Sequence, residues 1–235
     1  MARLPRVVMP DVPHHVTQRG NARQVIFDSD ADRLIYLGLL QQHAELYRLS
    51  LLGYCLMSNH VHLIAVPRTA QSLALALRHT HARYAAYRNA RQRSNGHVWQ
   101  GRFYSCPLDD VHLWTALRYL ELNPVRARMV ADACAWPWSS ANLHCGLALR
   151  ENWLDLHLWQ GRWSAAEWVE FLAGAESDED LTALRQFTHT GRPLGNAAFV
   201  AELERSTMRL LAPRKRGRRK KAPANPDQQV LNFVA

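Results

Sequence analysis

Leu52-Gly-Tyr-Cys-Leu-Met-Ser-Asn-His-Val-His-Leu-Ile-Ala-Val-Pro67 is the stretch from which the fold can be read. Two apolar runs flank Ser58-Asn59, which predicts two strands joined by a tight turn, with Asn59 supplying the left-handed backbone that such turns favour. Side chains two apart on a strand share a face. His60 and His62 therefore stand side by side on a rigid strand whose other members, Val61, Leu63, Ile64 and Val66, are apolar. Two half-buried histidines on an edge strand would give the same pattern. Two neutral imidazoles converging on one face are also half of a divalent-cation site.

Working outward, Pro13 to Arg19 reads as a strand ending at Gly20-Asn21. His14, His15, Gln18 and Arg19, with Asn21 and Arg23 just beyond, are side chains that can read bases or hold phosphates. Asp28-Ser-Asp30 predicts the cap of a helix running to about Arg48. A second helix is expected from about Ala70 to Arg91, with Arg78, Arg83, Arg88 and Arg91 on its basic side. His97 to Ser105 reads as strand or loop in which Trp99 and Phe103 lie beside Arg102, a mixture suited to stacking on unpaired bases. A third helix starts at Leu108-Asp109-Asp110, where acids favour a helix N-terminus. It stops near Asn123, because Pro124 disfavours helix at the residue before it. This order predicts an α+β fold, a ferredoxin-like antiparallel sheet with helices packed on one face.

The third helix supplies the other half of a site. At helical spacing His112, Ala116, Tyr119 and Asn123 fall on one stripe, and Leu113, Leu117 and Leu120 on another. The leucines can pack on the sheet while Tyr119 and Asn123 look at its rim. The amide oxygen of Asn123, one turn after Tyr119, is a hard ligand that suits Mg²⁺ or Mn²⁺.

The charge balance points to an anionic partner. The 235 residues carry a formal net charge of +9, and only three of the 29 basic residues are lysines. Arginine forks grip phosphates and stack on bases. Seven basic residues and no acid lie in 214–221, among them Arg214, Arg216, Arg218 and Arg219, so the tail 213–235 is expected to be disordered and phosphate-binding. Between Arg78 and Arg128, nine arginines, Arg126 included, stand against Asp109, Asp110 and Glu121, which predicts a second basic patch in the body.

Residues 1–145 read as the main domain. Residues 146–212, punctuated by Trp153, Trp159, Trp163 and Trp168, read as a helical C-terminal appendage. The four cysteines form no C-x-x-C pair, as in a reduced cytosolic protein. No apolar run reaches the length of a membrane span and the first residues lack a signal peptide's apolar stretch, so a cytoplasmic, nucleoid-associated protein is expected.

His60-Val-His62 resembles the His-hydrophobic-His signature of the HUH endonuclease superfamily. Residues 54–62 (Tyr-Cys-Leu-Met-Ser-Asn-His-Val-His), 98–103 (Val-Trp-Gln-Gly-Arg-Phe) and 118–127 (Arg-Tyr-Leu-Glu-Leu-Asn-Pro-Val-Arg-Ala) resemble the REP-associated tyrosine transposases. So does His-Val-Thr-Gln-Arg-Gly-Asn at 15–21, and the similarity runs from about Arg3 to Asn142. These are single-tyrosine relatives of the bacterial single-strand insertion-sequence transposases. Ser58 stands where many relatives carry proline. The resemblance implies that Tyr119 attacks DNA and that His60, His62 and Asn123 hold a divalent metal, Mg²⁺ or Mn²⁺. It implies a metal-dependent single-stranded DNA endonuclease and strand transferase, acting on hairpins of repetitive extragenic palindromes through a 5′-phosphotyrosine. A monomer is favoured. The alternative is a non-catalytic nucleic-acid-binding regulator on the same fold, against which the complete set of four residues argues, since binding alone requires no such set.

Overall fold

The computed structural model describes residues 6–147 and 153–212. Four antiparallel strands, β1 (His14–Arg19), β2 (Leu49–Leu56), β3 (His60–Pro67) and β4 (Tyr104–Pro107), lie in the order β2-β3-β1-β4. Helix α1 (Asp30–Leu46) connects β1 to β2, and α2 (Ser72–Arg91) connects β3 to β4, the ferredoxin-like arrangement that the element order predicts. Ser29 starts α1 with a reciprocal capping box to Asp32.

Alternation along the strands assigns the two faces. Val16, Val61, Leu63 and Ala65 pack with Tyr36 and Leu40 of α1 and Leu73, Leu77 and Tyr84 of α2. The opposite face is not open to solvent. Ile64, Val66 and Cys106 pack there against Leu113, Leu117 and Leu120 of α3 (Asp110–Glu121). Helices therefore cover both faces, α1 and α2 on one and α3 on the other. The leucine stripe of α3 is on the sheet, as its spacing predicts. A register shift at Leu51/Gly53 bulges β2. A Cβ on Gly53 would overlap Leu117 Cδ1, so the glycine lets α3 approach the strand.

The turn between β2 and β3 departs from expectation. Asn59 is not among the residues with a left-handed backbone. Its side chain is used instead: Nδ2 donates to the Arg23 carbonyl at 3.0 Å and Oδ1 lies 2.7 Å from His60 Nδ1. The left-handed residues nearby are Ala22 and Arg23, on the loop that leaves β1 and packs beside this turn.

After α3 the single turn α4 (Asn123–Arg126) begins with Pro124 in its first turn. The chain then folds back through α5 (Ala141–His144), α6 (His157–Gln160), α7 (Ala165–Ala173), α8 (Asp178–Thr190) and α9 (Ala197–Thr207). These residues are more than an appendage. Trp168, Leu172, Leu181, Leu184 and Leu194 share one apolar cluster with the sheet and α3. The carboxylate of Glu121 is fully buried beneath them and accepts hydrogen bonds from Ser140 Oγ at 2.6 Å, His144 Nδ1 at 2.5 Å and Trp168 Nε1 at 2.8 Å. Cys134 and Cys145 are joined as a disulfide, contrary to the expectation of four reduced thiols, because the turn at Ala133–Ala135 packs beside α5. Cys55 and Cys106 are free and buried. Among the described residues no helix is long and apolar enough to cross a membrane.

Candidate nuclease site

The sheet, the junction of α3 with α4, and α8 converge on one cleft of about 620 Å³. Strand β3 brings His60 and His62 to it, and β1 brings His15, Thr17 and Arg19. Tyr119 comes from the last turn of α3, Asn123 from the start of α4, and Arg185, Thr188 and His189 from α8. The two histidines of β3 share a face because they are two apart, and that face is the one α3 covers.

The rings of His60 and His62 meet edge-on with centroids 5.0 Å apart. Asn59 presents its amide oxygen to His60 Nδ1, so that nitrogen carries the proton and Nε2 keeps its lone pair. Nδ1 of His62 lies 3.0 Å from Nε2 of His15. Burial, aided by the nearby Arg19, lowers the His60 pKa to about 4. Burial also holds His62 well below its ordinary value, with His60, His15, Arg126 and Arg19 adding to the effect. Both rings are thus neutral near pH 7, the state in which imidazole binds a metal. Asn123 donates from Nδ2 to the Leu120 carbonyl at 3.2 Å, which leaves Oδ1 as the atom to offer. Two imidazole nitrogens and an amide oxygen form a donor set that fits Mn²⁺ or Mg²⁺. No group of three His, Cys, Asp or Glu converges as a metal site among the described residues, so a third donor beside the two histidines would have to come from another residue type, as the Asn123 amide does.

Tyr119 is 7% exposed and lines the cleft. Its ring stands edge-on to His62 at 5.7 Å and to His15 at 5.8 Å. The Arg126 guanidinium sits over the ring, 4.2 Å from its centroid. That guanidinium is already committed, to Glu176 at 2.7 and 2.8 Å and to the Tyr119 carbonyl. Arg185 Nε donates to the Tyr119 hydroxyl at 3.4 Å.

The remaining sequence candidates divide. Arg19 and Arg23 are exposed and line the cleft, and His15 lies in its wall. His14 and Gln18 are buried: His14 Nδ1 donates to the Val12 carbonyl at 2.7 Å and Gln18 Nε2 to the Gly101 carbonyl at 2.9 Å. Asn21 is exposed outside the cleft lining. Trp99 packs with Tyr36 and Tyr84 and donates its indole N–H to the His81 carbonyl at 2.9 Å, so it belongs to the core on the α1–α2 face. Phe103 is buried in that same core under the Arg6 guanidinium. The ring beside Arg102 that does reach the cleft is Tyr104, stacked on His189 at 5.0 Å. Arg78 and Arg83 are exposed on α2, across the sheet from the cleft, and Arg102 is exposed outside its lining. The basic excess of 78–128 is partly spent inside the molecule. Arg91 pairs with Asp32, Arg88 donates to the Val25 carbonyl, and Arg118 caps carbonyls of Gly174 and Ala175. Arg214, Arg216, Arg218 and Arg219 lie outside the described residues. Arg185, Thr188 and His189 also line the cleft, and no motif or spacing in the sequence marks them for it.

No curated protein sequence matches the chain. Among solved structures, a REP-associated tyrosine transposase bound to a REP hairpin shares the fold. Its TM-score is 0.54 at 15% identity, and the match covers 67% of this chain and 96% of that one. A transposase candidate from Deinococcus radiodurans matches with a TM-score of 0.35 at 20% identity, over 51% of this chain and 96% of that one. Residues 9–123, a span that holds all four strands, Tyr119 and Asn123, match the model of the family described as "Transposase IS200 like". Over that span, 115 of the 235 residues, the chain is similar to the IS200-like transposase family.

Proposed function

We propose that the protein is a single-tyrosine DNA strand transferase that cleaves single-stranded or hairpin DNA with a divalent metal, Mg²⁺ or Mn²⁺, and holds the cut end as a 5′-phosphotyrosine. The observation that carries this reading is the placement of Tyr119, edge-on against His62 inside the cleft that Asn123 also lines. A tyrosine hydroxyl is a weak nucleophile near neutral pH. A cation held by His60, His62 and Asn123 would supply Lewis-acid polarisation of the scissile phosphate and fix its orientation. The residues of the chain do the rest. Tyr119 forms the O–P bond as the bond from phosphorus to the 3′-oxygen breaks. The phenolic proton is released and the 3′-end leaves as a hydroxyl. Arg185, beside the Tyr119 hydroxyl, faces the charge that builds on the phosphate oxygens. The phosphotyrosine conserves the bond energy, so a second 3′-hydroxyl can reverse the step and join strands.

Hairpin DNA as substrate is supported by the fold shared with a transposase solved on a REP hairpin. Arg19, Arg23 and Tyr104 around the cleft can hold the unpaired strand. Residues 1–145 would carry the chemistry, and 146–212 would complete the cleft through α8. Incubation with end-labelled hairpin DNA and Mn²⁺, read on a denaturing gel, tests the reading. The wild type should give a protein–DNA adduct that survives denaturant. Tyr119→Phe should give none while binding the hairpin as before. Persistence of the adduct in Tyr119→Phe, or its mapping to Tyr104, would overturn the assignment.

A further inference from the structure

His62 does not stand alone in the wall of the cleft. His15, 2% exposed on the adjoining strand, presents Nε2 to His62 Nδ1 at 3.0 Å. Their rings are nearly parallel, 11° apart. The diagonal contact follows from the register, which pairs Thr17 with His62 and His15 with Ile64. The other nitrogen of His15 meets a residue distant in sequence: Nδ1 lies 2.7 Å from Oγ1 of Thr188, itself 2% exposed, on α8. Thr188 Oγ1 in turn lies 3.3 Å from the buried Cys106 sulfur. The result is a buried chain, Cys106–Thr188–His15–His62, whose last member opens on the cleft.

A neutral imidazole carries one ring proton, and the contact between two such rings holds one proton, not two. Only two arrangements satisfy the chain. In one, His15 donates from Nδ1 to the threonine oxygen and accepts at Nε2 from His62 Nδ1–H. His62 Nε2 then has a lone pair facing the cleft. In the other, Thr188 donates to His15 Nδ1 and His15 donates from Nε2 to His62 Nδ1. The proton of His62 is then forced onto Nε2, where it blocks a cation.

We propose that His15 and Thr188 are positioning residues that hold His62 as its Nδ1–H tautomer, so that Nε2 is presented to the cation. This rests on the reading of His62 as a metal ligand. The threonine hydroxyl matters because it can accept. Without an acceptor there, the buried His15 proton is satisfied only at Nε2, and His62 switches to the blocked form.

Thr188→Val keeps shape and removes the hydroxyl, whereas Thr188→Ser keeps it. Ring-nitrogen NMR of the ¹⁵N-histidine-labelled full-length protein without metal, with His62 assigned through His62→Gln, reads the tautomer directly. His62 should be protonated at Nδ1 in wild type and Thr188→Ser, and at Nε2 in Thr188→Val. Mn²⁺ affinity, from the EPR signal of the free ion, should fall at least tenfold in Thr188→Val and recover in Thr188→Ser. An Nε2–H His62 in the wild type, or a tautomer unchanged by Thr188→Val, would overturn the proposal. Mn²⁺ titration of His62→Ala separates the two readings: undiminished binding there would remove His62 from the metal site whatever its tautomer.

Discussion

Arg185 stands on α8 with its Nε 3.4 Å from the Tyr119 hydroxyl and its guanidinium carbon 5.6 Å from the centre of that ring. Unlike Arg126, which is held by Glu176, it has no carboxylate partner among the described salt bridges, so its charge is available to the attacked phosphate. Arg185→Ala should slow single-turnover cleavage by roughly ten- to a hundredfold. Loss of a buried oxyanion donor typically costs somewhat more, and Arg185 is exposed. Hairpin affinity should change little, because Arg19 and Arg23 also line the cleft. An unchanged cleavage rate would remove Arg185 from the chemistry. That His60, His62, Tyr119 and Asn123 line one cleft is legible because each pair obeys a local period, two along a strand and four along a helical stretch. That Arg185 joins them is not, because it lies 66 residues from Tyr119 and no spacing rule spans that distance. Trp99 and Phe103 differ from the sequence expectation for a related reason. An aromatic beside an arginine looks the same in sequence whether its ring faces solvent or, as here, the core.

At the scale of elements, the placement of Tyr119 depends on how closely α3 approaches β2. Gly53 sits at the bulge, and an added Cβ would overlap Leu117 Cδ1 and come within 2.8 Å of Ser140 Oγ. The leucine can give way only by moving within a cluster already filled by Leu113, Leu120 and Trp168. Gly53→Ala should therefore cost about 1–3 kcal/mol, the range for overpacking a filled core. It should also lower the cleavage rate by shifting α3 relative to His62. Guanidinium denaturation would show the loss as a lower midpoint, and an unaltered midpoint would mean that the glycine serves no packing purpose. Two helix starts are readable: Ser29 and Asp109 each cap as their sequence suggests. The element order predicts helices on one face, whereas both faces are covered. The leucine stripe of α3 says that it packs on a sheet, and nothing in its spacing says on which face. The turn lies at Ser58-Asn59 as the sequence predicts, but Asn59 acts there through its side chain and not through a left-handed backbone.

For the molecule as a whole, the question is whether residues 1–145 could fold alone, as reading 146–212 as an appendage requires. The shared cluster answers in terms of area. Trp168 is fully buried, and Leu172, Leu181, Leu184 and Leu194 are all under a tenth exposed, packed on the same side of the sheet as Leu113 and Leu117. Burying a large apolar side chain contributes roughly 1.5–3 kcal/mol. Five of them amount to about 10 kcal/mol, comparable with the whole net stability of a typical domain, about 5–15 kcal/mol. Truncation would also strip Glu121 of the Trp168 indole, leaving a buried carboxylate with one donor fewer. It would remove the carbonyls of Gly174 and Ala175 that hold the Arg118 guanidinium. A chain ending at Cys145 should therefore lack a cooperative thermal transition and near-ultraviolet circular dichroism. A chain ending at Ala212 should keep both, since every residue of the shared cluster is retained. If the short chain melted cooperatively near the wild-type temperature, the C-terminal helices would be a dispensable addition, and the cleft would have to work without Arg185 and Thr188.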